Sequence, residues 1–313
     1  MRAAGILGAT LALAAAGCAL PDVGSRADEV IGGTRTPDGM FPGVGALLYD
    51  LGNGPETGCT GTLIAPTVVL TAAHCVDPQL GGDALVGFTL VHDTTVGVPP
   101  MTAVARKLAH EQFDISAEIE PGLGHFFDIG LVVLAAPITD VAPIYLPRPS
   151  DGPELLADTD LTIVGYGRTT NANQDVGVMY DATTKLVSLN EFELQVSHGQ
   201  DQPQNCHGDS GGPALTELNG HTRTVGVVSR SFDLQPTCLG GGVDTRVDAY
   251  LDWIWTQLPA DVQLTVPCGS GLTDCGDDEG GCCSSSRRAR AAPLALAGLV
   301  LASLFGRRRR RRP

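Results

Sequence analysis

Between Val30 and about Leu258 the apolar residues come in short bursts separated by turn formers: "GVGALLYD", "GTLIAPTVVLTAAHC", "DIGLVVLAAPI", "LTIVGYG", "GGPALTEL" and "TVGVVSR". Short runs rich in Val, Ile, Leu and Thr and bounded by Gly, Pro, Asn or Asp are the pattern of strands with a buried face. The pattern changes once. In "RVDAYLDWIWTQLP", Val247, Tyr250, Leu251, Ile254, Trp255 and Leu258 recur at the spacing of one helix face, and Pro259 ends the run. The hydrophobic pattern therefore predicts an all-β body closed by a C-terminal helix. A stretch rich in proline and acid, "APIYLPRPSDGPELLADTD", interrupts the strands and predicts a linker at about 139–158 between two halves of similar length.

Composition agrees with many turns. Gly 40 and Pro 21 accompany 43% hydrophobic and 18% charged residues in a chain of 313, long enough for one large domain or two small ones with a real core. The segment past the helix, "PCGSGLTDCGDDEGGCCSSS", reads as a Gly/Cys/Ser stalk over 259–286 without a core of its own.

Both ends read as addresses rather than structure. Residues 1–29 begin "MRAAGILGATLALAAAGCAL", an early arginine, an Ala/Leu-rich run and small residues before Cys18. This predicts export as a signal peptide followed by a propeptide. The small residues before Cys18 resemble a bacterial lipoprotein cleavage site, with Ala15 standing where leucine is more usual; the alternative is ordinary cleavage nearby. At the other end, over 287–313, an apolar run from Ala291 to Phe305 precedes six arginines. The run is short for a span of about 20 residues, and arginines are retained on the cytoplasmic side, which leaves the body outside. Cysteines, short apolar segment and arginine cluster together resemble the MYXO-CTERM sorting tag of bacterial surface proteins; a plain tail anchor is the alternative. The chain is expected at the cell surface, the outer membrane or secreted, with membrane contact through this tag and through a lipidated Cys18.

Net charge is −15, and the body is more acidic still once the arginine-rich end is set aside. Such a surface repels nucleic acid and anionic membrane, so neither is expected as a partner of the body, which is read as a monomer. Nine cysteines suit an oxidising compartment. The expected pairs are Cys59 with Cys75 and Cys206 with Cys238, which spacing alone does not prove; the pairing of Cys268, Cys275, Cys282 and Cys283 is left open. A closed loop of roughly 15 residues is worth about 3 kcal/mol on the chain-entropy model. The four central cysteines lack the paired CxxC spacing of zinc sites, and the acidic residues lack EF-hand spacing, so no metal or organic cofactor is implied and calcium dependence is undecided.

The chemistry lies in three places: His74 in "LTAAHC", Asp128 in "FFDIGLVVL" and Ser210 in "NCHGDSGGP". A serine hydroxyl is a poor nucleophile at neutral pH and needs a base, which in turn needs a carboxylate to fix its tautomer and stabilise the imidazolium. "VIGGT" at 30–34, "TAAHC" at 71–75, "DIGLVVL" at 128–134, "GYG" at 165–167 and "GDSGGP" at 208–213, in that order, resemble the trypsin-like (chymotrypsin-fold) serine proteases over about residues 30–258. The resemblance implies two six-stranded antiparallel β-barrels, with His74 and Asp128 from the first and Ser210 from the second meeting in the cleft. It implies a serine endopeptidase acting on protein or peptide substrates through an acyl-enzyme. The N–H groups of Gly208 and Ser210 would form the oxyanion hole. Asp209 would pair with the new ammonium of Val30 once the chain is cut after Glu29, so that the uncut chain is a zymogen.

The specificity pocket departs from the family pattern. Gln204 falls on the floor position where trypsin-type enzymes carry aspartate, so a Lys or Arg preference does not carry over. Asn205, Ser231 and Gly242 fall on other pocket positions and His207 on the rim, while Ser229 matches the serine expected beside Asp128. Ser231 and Arg230 stand where glycine and tryptophan are usual. A polar, uncharged floor suits a polar or medium-sized side chain; alternatively Arg230, His207 and Ser231 favour an acidic one, which would make the cut after Glu29 self-directed. Asp244, two residues past Gly242, could supply a displaced negative charge and restore a basic preference. Two other functions compete. A non-catalytic surface binding or adhesion module would use the same fold without the chemistry. An α/β-hydrolase esterase would need the order Ser, acid, His, for which only His221 follows Ser210.

Overall fold

The computed structural model describes residues 30–116, 120–148, 151–168, 176–200, 202–235 and 237–265. The readings for Cys18, the signal and propeptide, most of the stalk with its four cysteines, and the arginine-tailed apolar segment lie outside the described residues.

The first half runs β1 (Thr34–Arg35), β2 (Val44–Asp50), β3 (Pro55–Ala65), β4 (Val68–Thr71), the one-turn helix α1 (Ala73–Val76), β5 (Leu85–Thr89), β6 (Thr102–Ala109) and β7 (Gly130–Leu134). Strands β2-β3-β4-β7-β6-β5 close into a barrel, β5 returning to β2 through Leu47↔Phe88. All its pairings are antiparallel, and closure removes the exposed edges that would otherwise template further strands. Register shifts within β2–β3, β3–β4 and β6–β7 mark bulges that bend the strands round. The second half contributes β8 (Asp160–Gly165), β9 (Tyr180–Leu189), β10 (Glu193–Val196), β11 (Pro213–Leu218), β12 (His221–Ser231) and β13 (Gly242–Arg246). They form a second barrel in the order β9-β10-β13-β12-β11-β8, closed by β8 on β9, with β1 added to β9 at Thr34↔Asp181. This is the chymotrypsin-like fold that the motifs imply.

Hydrophobic burial welds the halves at two places. Val44, Ala46 and Leu48 of the first barrel pack with Val164, Tyr166, Met179 and Leu215 of the second. The chain's end then crosses back: Tyr250, Leu251, Ile254 and Leu258 bury into the first barrel's core with Leu63, Phe88 and Leu131. Each such side chain contributes about 1.5–3 kcal/mol when removed from water, so the C-terminal helix clamps the structure.

The helix predicted as one piece is divided. Asp248–Tyr250 is a 3-10 turn, α2 spans Leu251–Gln257, and a further helix α3 spans Ala260–Thr265. Leu258 has extended geometry (φ −62°, ψ 141°), the conformation proline imposes on its predecessor, which is why α2 stops there. Helix α3 falls in the segment read as stalk, yet Val262 is buried in the first core, so the folded body continues past Leu258.

Candidate active site

Two adjacent strands deliver the His–Asp pair. β4 pairs with β7 through Thr71↔Gly130, so α1, which follows β4, and Asp128, which precedes β7, emerge side by side. His74 Nδ1 lies 2.8 Å from Asp128 Oδ2, and the His74 backbone N–H donates to Asp128 Oδ1 at 2.9 Å. The second barrel holds the same carboxylate: Ser229 Oγ of β12 donates to Oδ2 at 2.6 Å, and Thr245 Oγ1 of β13 donates to the Asp128 carbonyl at 2.8 Å. Ser229 is therefore beside Asp128, as its position in the motif implies.

The electrostatics follow from burial and these bonds. Burial alone would raise the Asp128 pKa, but the charge of His74 and the hydrogen bonds from His74 and Ser229 outweigh it, holding the carboxyl below its ordinary value. Burial likewise works against a charged His74, and the Asp128 carboxylate overrides it by charge and hydrogen bond, raising the imidazole above 6.5. The pair is thus built to accept a proton on the ring.

Ser210 is carried by a loop of the second barrel and clamped by Thr60 of β3. The Thr60 N–H donates to the Ser210 carbonyl at 2.8 Å, and Thr60 Oγ1 donates to the Gly208 carbonyl at 2.9 Å while accepting from the Tyr166 N–H at 3.1 Å. The Ser210 carbonyl is also 3.6 Å from Sγ of Cys75, the residue after His74. Ser210 thus sits at the seam beside the His–Asp pair, although its Oγ makes no hydrogen bond to His74. Both expected disulfides are formed: Cys59–Cys75 and Cys206–Cys238. The first puts two sulfurs within 4.8 Å of a His74 ring nitrogen, but sulfurs bonded to each other offer no thiolate to a metal.

Within the loop, the N–H groups of Asp209, Gly211 and Gly212 are bonded to Cys206, Val228 and Asp209 carbonyls, whereas those of Gly208 and Ser210 have no acceptor among the described residues. Gly208 has φ +101°, and a Cβ there would fall 2.4 Å from Val176 Cγ1 and 2.7 Å from the Gly167 Cα, so only glycine fits. Asp209 points the other way. It is fully buried, accepts from the N–H groups of Gly167 and Cys206 at 2.8 Å each, and has no cation beside it among the described residues. Burial raises its pKa to about 7, the two N–H bonds offsetting only part of the cost. Val30 is buried too, with Leu161, Ile163 and Tyr180, and an Ile31–Gln204 bridge lays this segment along the chain that leads to Asp209.

The residues read as specificity positions are held by the following contacts. Gln204 is buried, its Oε1 accepting from the Gly241 N–H at 2.8 Å. Asn205 Nδ2 reaches Asp244 Oδ1 at 3.4 Å, Ser231 pairs with Gly242 and donates to the Gln235 carbonyl at 3.0 Å, and His207 is exposed. Arg230 offers no charge to a substrate: its Nη1 and Nη2 each meet Glu193 at 2.8 Å, Nη2 also donates to the Gly122 carbonyl, and the guanidinium covers the Phe126 ring. This removes the main support for an acidic preference. Thr60, Thr245 and Glu193 were missed from sequence, because an isolated threonine or glutamate carries no motif.

Two antiparallel barrels with a His–Asp pair and a glycine-flanked serine at their seam define a serine hydrolase of the two-barrel class. More narrowly, the chain belongs to the Trypsin family, whose profile matches residues 30–254. It is 29% identical over 252 residues to chymotrypsin-like elastase family member 1 of Canis lupus familiaris, covering 74% of this chain and 93% of the relative. It is similarly 29% identical to a CLIP domain-containing serine protease B15 of Anopheles gambiae, over 74% of this chain and 70% of that one. A trypsin of Saccharopolyspora erythraea is again 29% identical, over 64% and 87%. The protein is accordingly a serine endopeptidase whose substrates are proteins or peptides.

Proposed function

We propose that His74, Asp128 and Ser210 form the catalytic triad of an exported, surface-tethered endopeptidase that is activated by cleavage before Val30. The observation that carries this reading is the double grip on Asp128, which receives His74 through both backbone and ring and is anchored by Ser229 from the other barrel. Ser210 Oγ attacks the scissile carbonyl as His74 Nε2 takes its proton. Asp128 keeps the Nδ1 proton in place and stabilises the imidazolium. The N–H groups of Gly208 and Ser210 bind the oxyanion. His74 then protonates the leaving amine, and water, activated by the same base, releases the acyl group.

Two features support activation. Among the described residues the buried Asp209 carboxylate lacks a cation, and the ammonium created at Val30 would supply one. Val30 also has φ +43°, a left-handed conformation that a β-branched residue adopts only under strain of about 1–3 kcal/mol. That torsion runs through the 29–30 peptide bond, so hydrolysis abolishes it. The same cut would free the body from an anchor at Cys18, leaving a C-terminal sorting tag as the remaining tether. The two disulfides fit maturation in an oxidising compartment.

The test is fluorophosphonate labelling with mass spectrometry of the wild type and Ser210→Ala. Labelling at Ser210 of a chain that starts at Val30, absent in the variant, is the expected result. A chain that starts at Val30 and never labels would make this a binding module that has kept the residues without their chemistry.

A further inference from the structure

We propose that Thr94, between β5 and β6 of the first barrel, is a positioning residue for the oxyanion hole, acting through Gly177 and Val176 on the Gly208 peptide. The inference deepens the proposed function and rests on it, since Gly208 matters only if its N–H receives the oxyanion. The difficulty lies in the serine turn itself. Position 208 must be glycine, because its φ is +101° and no Cβ fits, yet glycine is the residue least able to hold its own backbone in one conformation. A preorganised donor there needs walls supplied from outside the turn.

Two limbs of the second barrel supply them. The first is Tyr166–Arg168: the Gly167 N–H donates to Asp209 Oδ1 at 2.8 Å, and the Arg168 N–H donates at 2.8 Å to the His207 carbonyl, which belongs to the same peptide as the Gly208 N–H. The second is Val176–Gly177, whose Val176 Cγ1 stands 2.4 Å from the point a Gly208 Cβ would occupy. Val176 lies in no strand, so its place depends on Gly177. The Gly177 N–H donates to the Tyr166 carbonyl at 2.9 Å, which joins the two limbs. Its carbonyl accepts twice from Thr94, from the N–H at 2.8 Å and from Oγ1 at 2.9 Å. A hydroxyl has one proton, so with Thr94 donating to Gly177, the 2.7 Å contact between Thr57 Oγ1 and Thr94 Oγ1 is donated by Thr57. Gly177 is shaped to this clasp: its φ is +112°, and a Cβ would fall 2.6 Å from Thr94 Oγ1. The contact continues alongside, where Asp93 pairs with Val178 and the Met179 N–H donates to the His92 carbonyl at 2.7 Å.

Strand β3 therefore reaches the serine turn by two routes. Thr60 grips the Gly208 carbonyl, which fixes the peptide after Gly208. Thr57, on the same strand, acts through Thr94, Gly177 and Val176 on the peptide before it, the one that carries the oxyanion donor.

The experiment follows inactivation of the chain cut before Val30 by a fluorophosphonate over a range of reagent concentrations, which separates binding (KI) from reaction at Ser210 (kinact). Thr94→Val keeps the shape and the backbone bond but loses the hydroxyl, whereas Thr94→Ser keeps the hydroxyl. In Thr94→Val, kinact should fall about 10-fold with KI unchanged within about 2-fold, a part of the roughly 100- to 1,000-fold cost of removing an oxyanion donor outright. Thr94→Ser should stay near the wild type. Val176→Ala should lower kinact by a similar factor, and the double variant Thr94→Val/Val176→Ala no further than the worse single one, because both act on one contact. An unchanged kinact in Thr94→Val, a loss that appears in KI instead, a Thr94→Ser as slow as Thr94→Val, or losses that multiply in the double variant each overturn the assignment. Should Thr94→Val fail to show a cooperative urea transition, Val176→Ala decides: kinact must fall with KI unchanged, and any other result overturns it. A wild type that never labels instead defeats the protease reading itself.

Discussion

The uncompensated carboxylate of Asp209 makes a measurable statement about stability. Its pKa in the folded, uncut chain is about 7 against an ordinary 3.8. The folded state thus holds the proton more tightly than the unfolded one, so nothing is lost below the ordinary value. Stability declines as pH rises through the interval and reaches its full deficit above about 7. At 1.36 kcal/mol per pKa unit the deficit is about 4 kcal/mol, or about 8–16 °C in Tm for a body of this size. On the proposed activation, cutting before Val30 would place an ammonium beside Asp209 and should remove the deficit. The comparison uses Ser210→Ala, to prevent self-cutting, with an enteropeptidase recognition sequence ending at position 29. Unfolding of the uncut, cut and uncut Asp209→Asn proteins is followed in urea from pH 4 to 8. Stability of the uncut chain should fall across this range, the Asn variant should not follow it, and at pH 8 the cut chain should exceed the uncut one. Parallel curves for cut and uncut protein would refute the reasoning.

Other expectations concern the site. Because His74 must be neutral to act and its pKa is raised, kcat/KM should climb with pH through a limb above 6.5; Asp128→Asn should lower that limb and cost on the order of 10⁴-fold in kcat, measured by steady-state pH profiles. Gly208→Ala, which drives a methyl into Val176 and the Gly167 backbone, should cut kcat by at least about 100-fold while Ser210 remains present and the chain intact. Removing one side of the buried Arg230–Glu193 pair, as in Glu193→Ala, should destabilise the protein by about 3–5 kcal/mol in urea unfolding, since Arg230 is left buried without its partner.

Much of this molecule is legible locally. The bursts of "GTLIAPTVVLT" and "LTIVGYG" are strands because their apolar residues have a face to bury, and the His, Asp and Ser motifs keep fixed offsets to the turns that present them. Even the stop at Pro259 is local, a steric rule between neighbours. Strands without a clear apolar run, such as β6, where "TAVARKLA" lies largely outside the core, became visible only through their pairing with β7. The helix α3 was hidden in a Gly-rich tail because its one buried anchor, Val262, is meaningful only once the first barrel's core stands beside it.

What sequence by itself determined is the set of groups and the scaffold class: two barrels, a serine in a glycine-lined turn, a histidine and an aspartate in family order, and cysteines enough for two disulfides whose pairing it left unproved. Tertiary structure decided how those groups are held and charged. Ser229 is 101 residues from Asp128, and Thr60 is 148 from the Gly208 it clamps. A hydroxyl's partner at such separations is set by barrel closure, not by its neighbours in the chain. The same holds for charge: Arg230 reads as a free cation and Asp244 as one acid among many until burial pairs the first with Glu193 and leaves the second with an unpartnered oxygen. Desolvation is a property of the assembled fold, and it is the main cause that raises both Asp209 and Asp244 above the ordinary carboxyl value, with the proximity of Asp209 adding to it at Asp244.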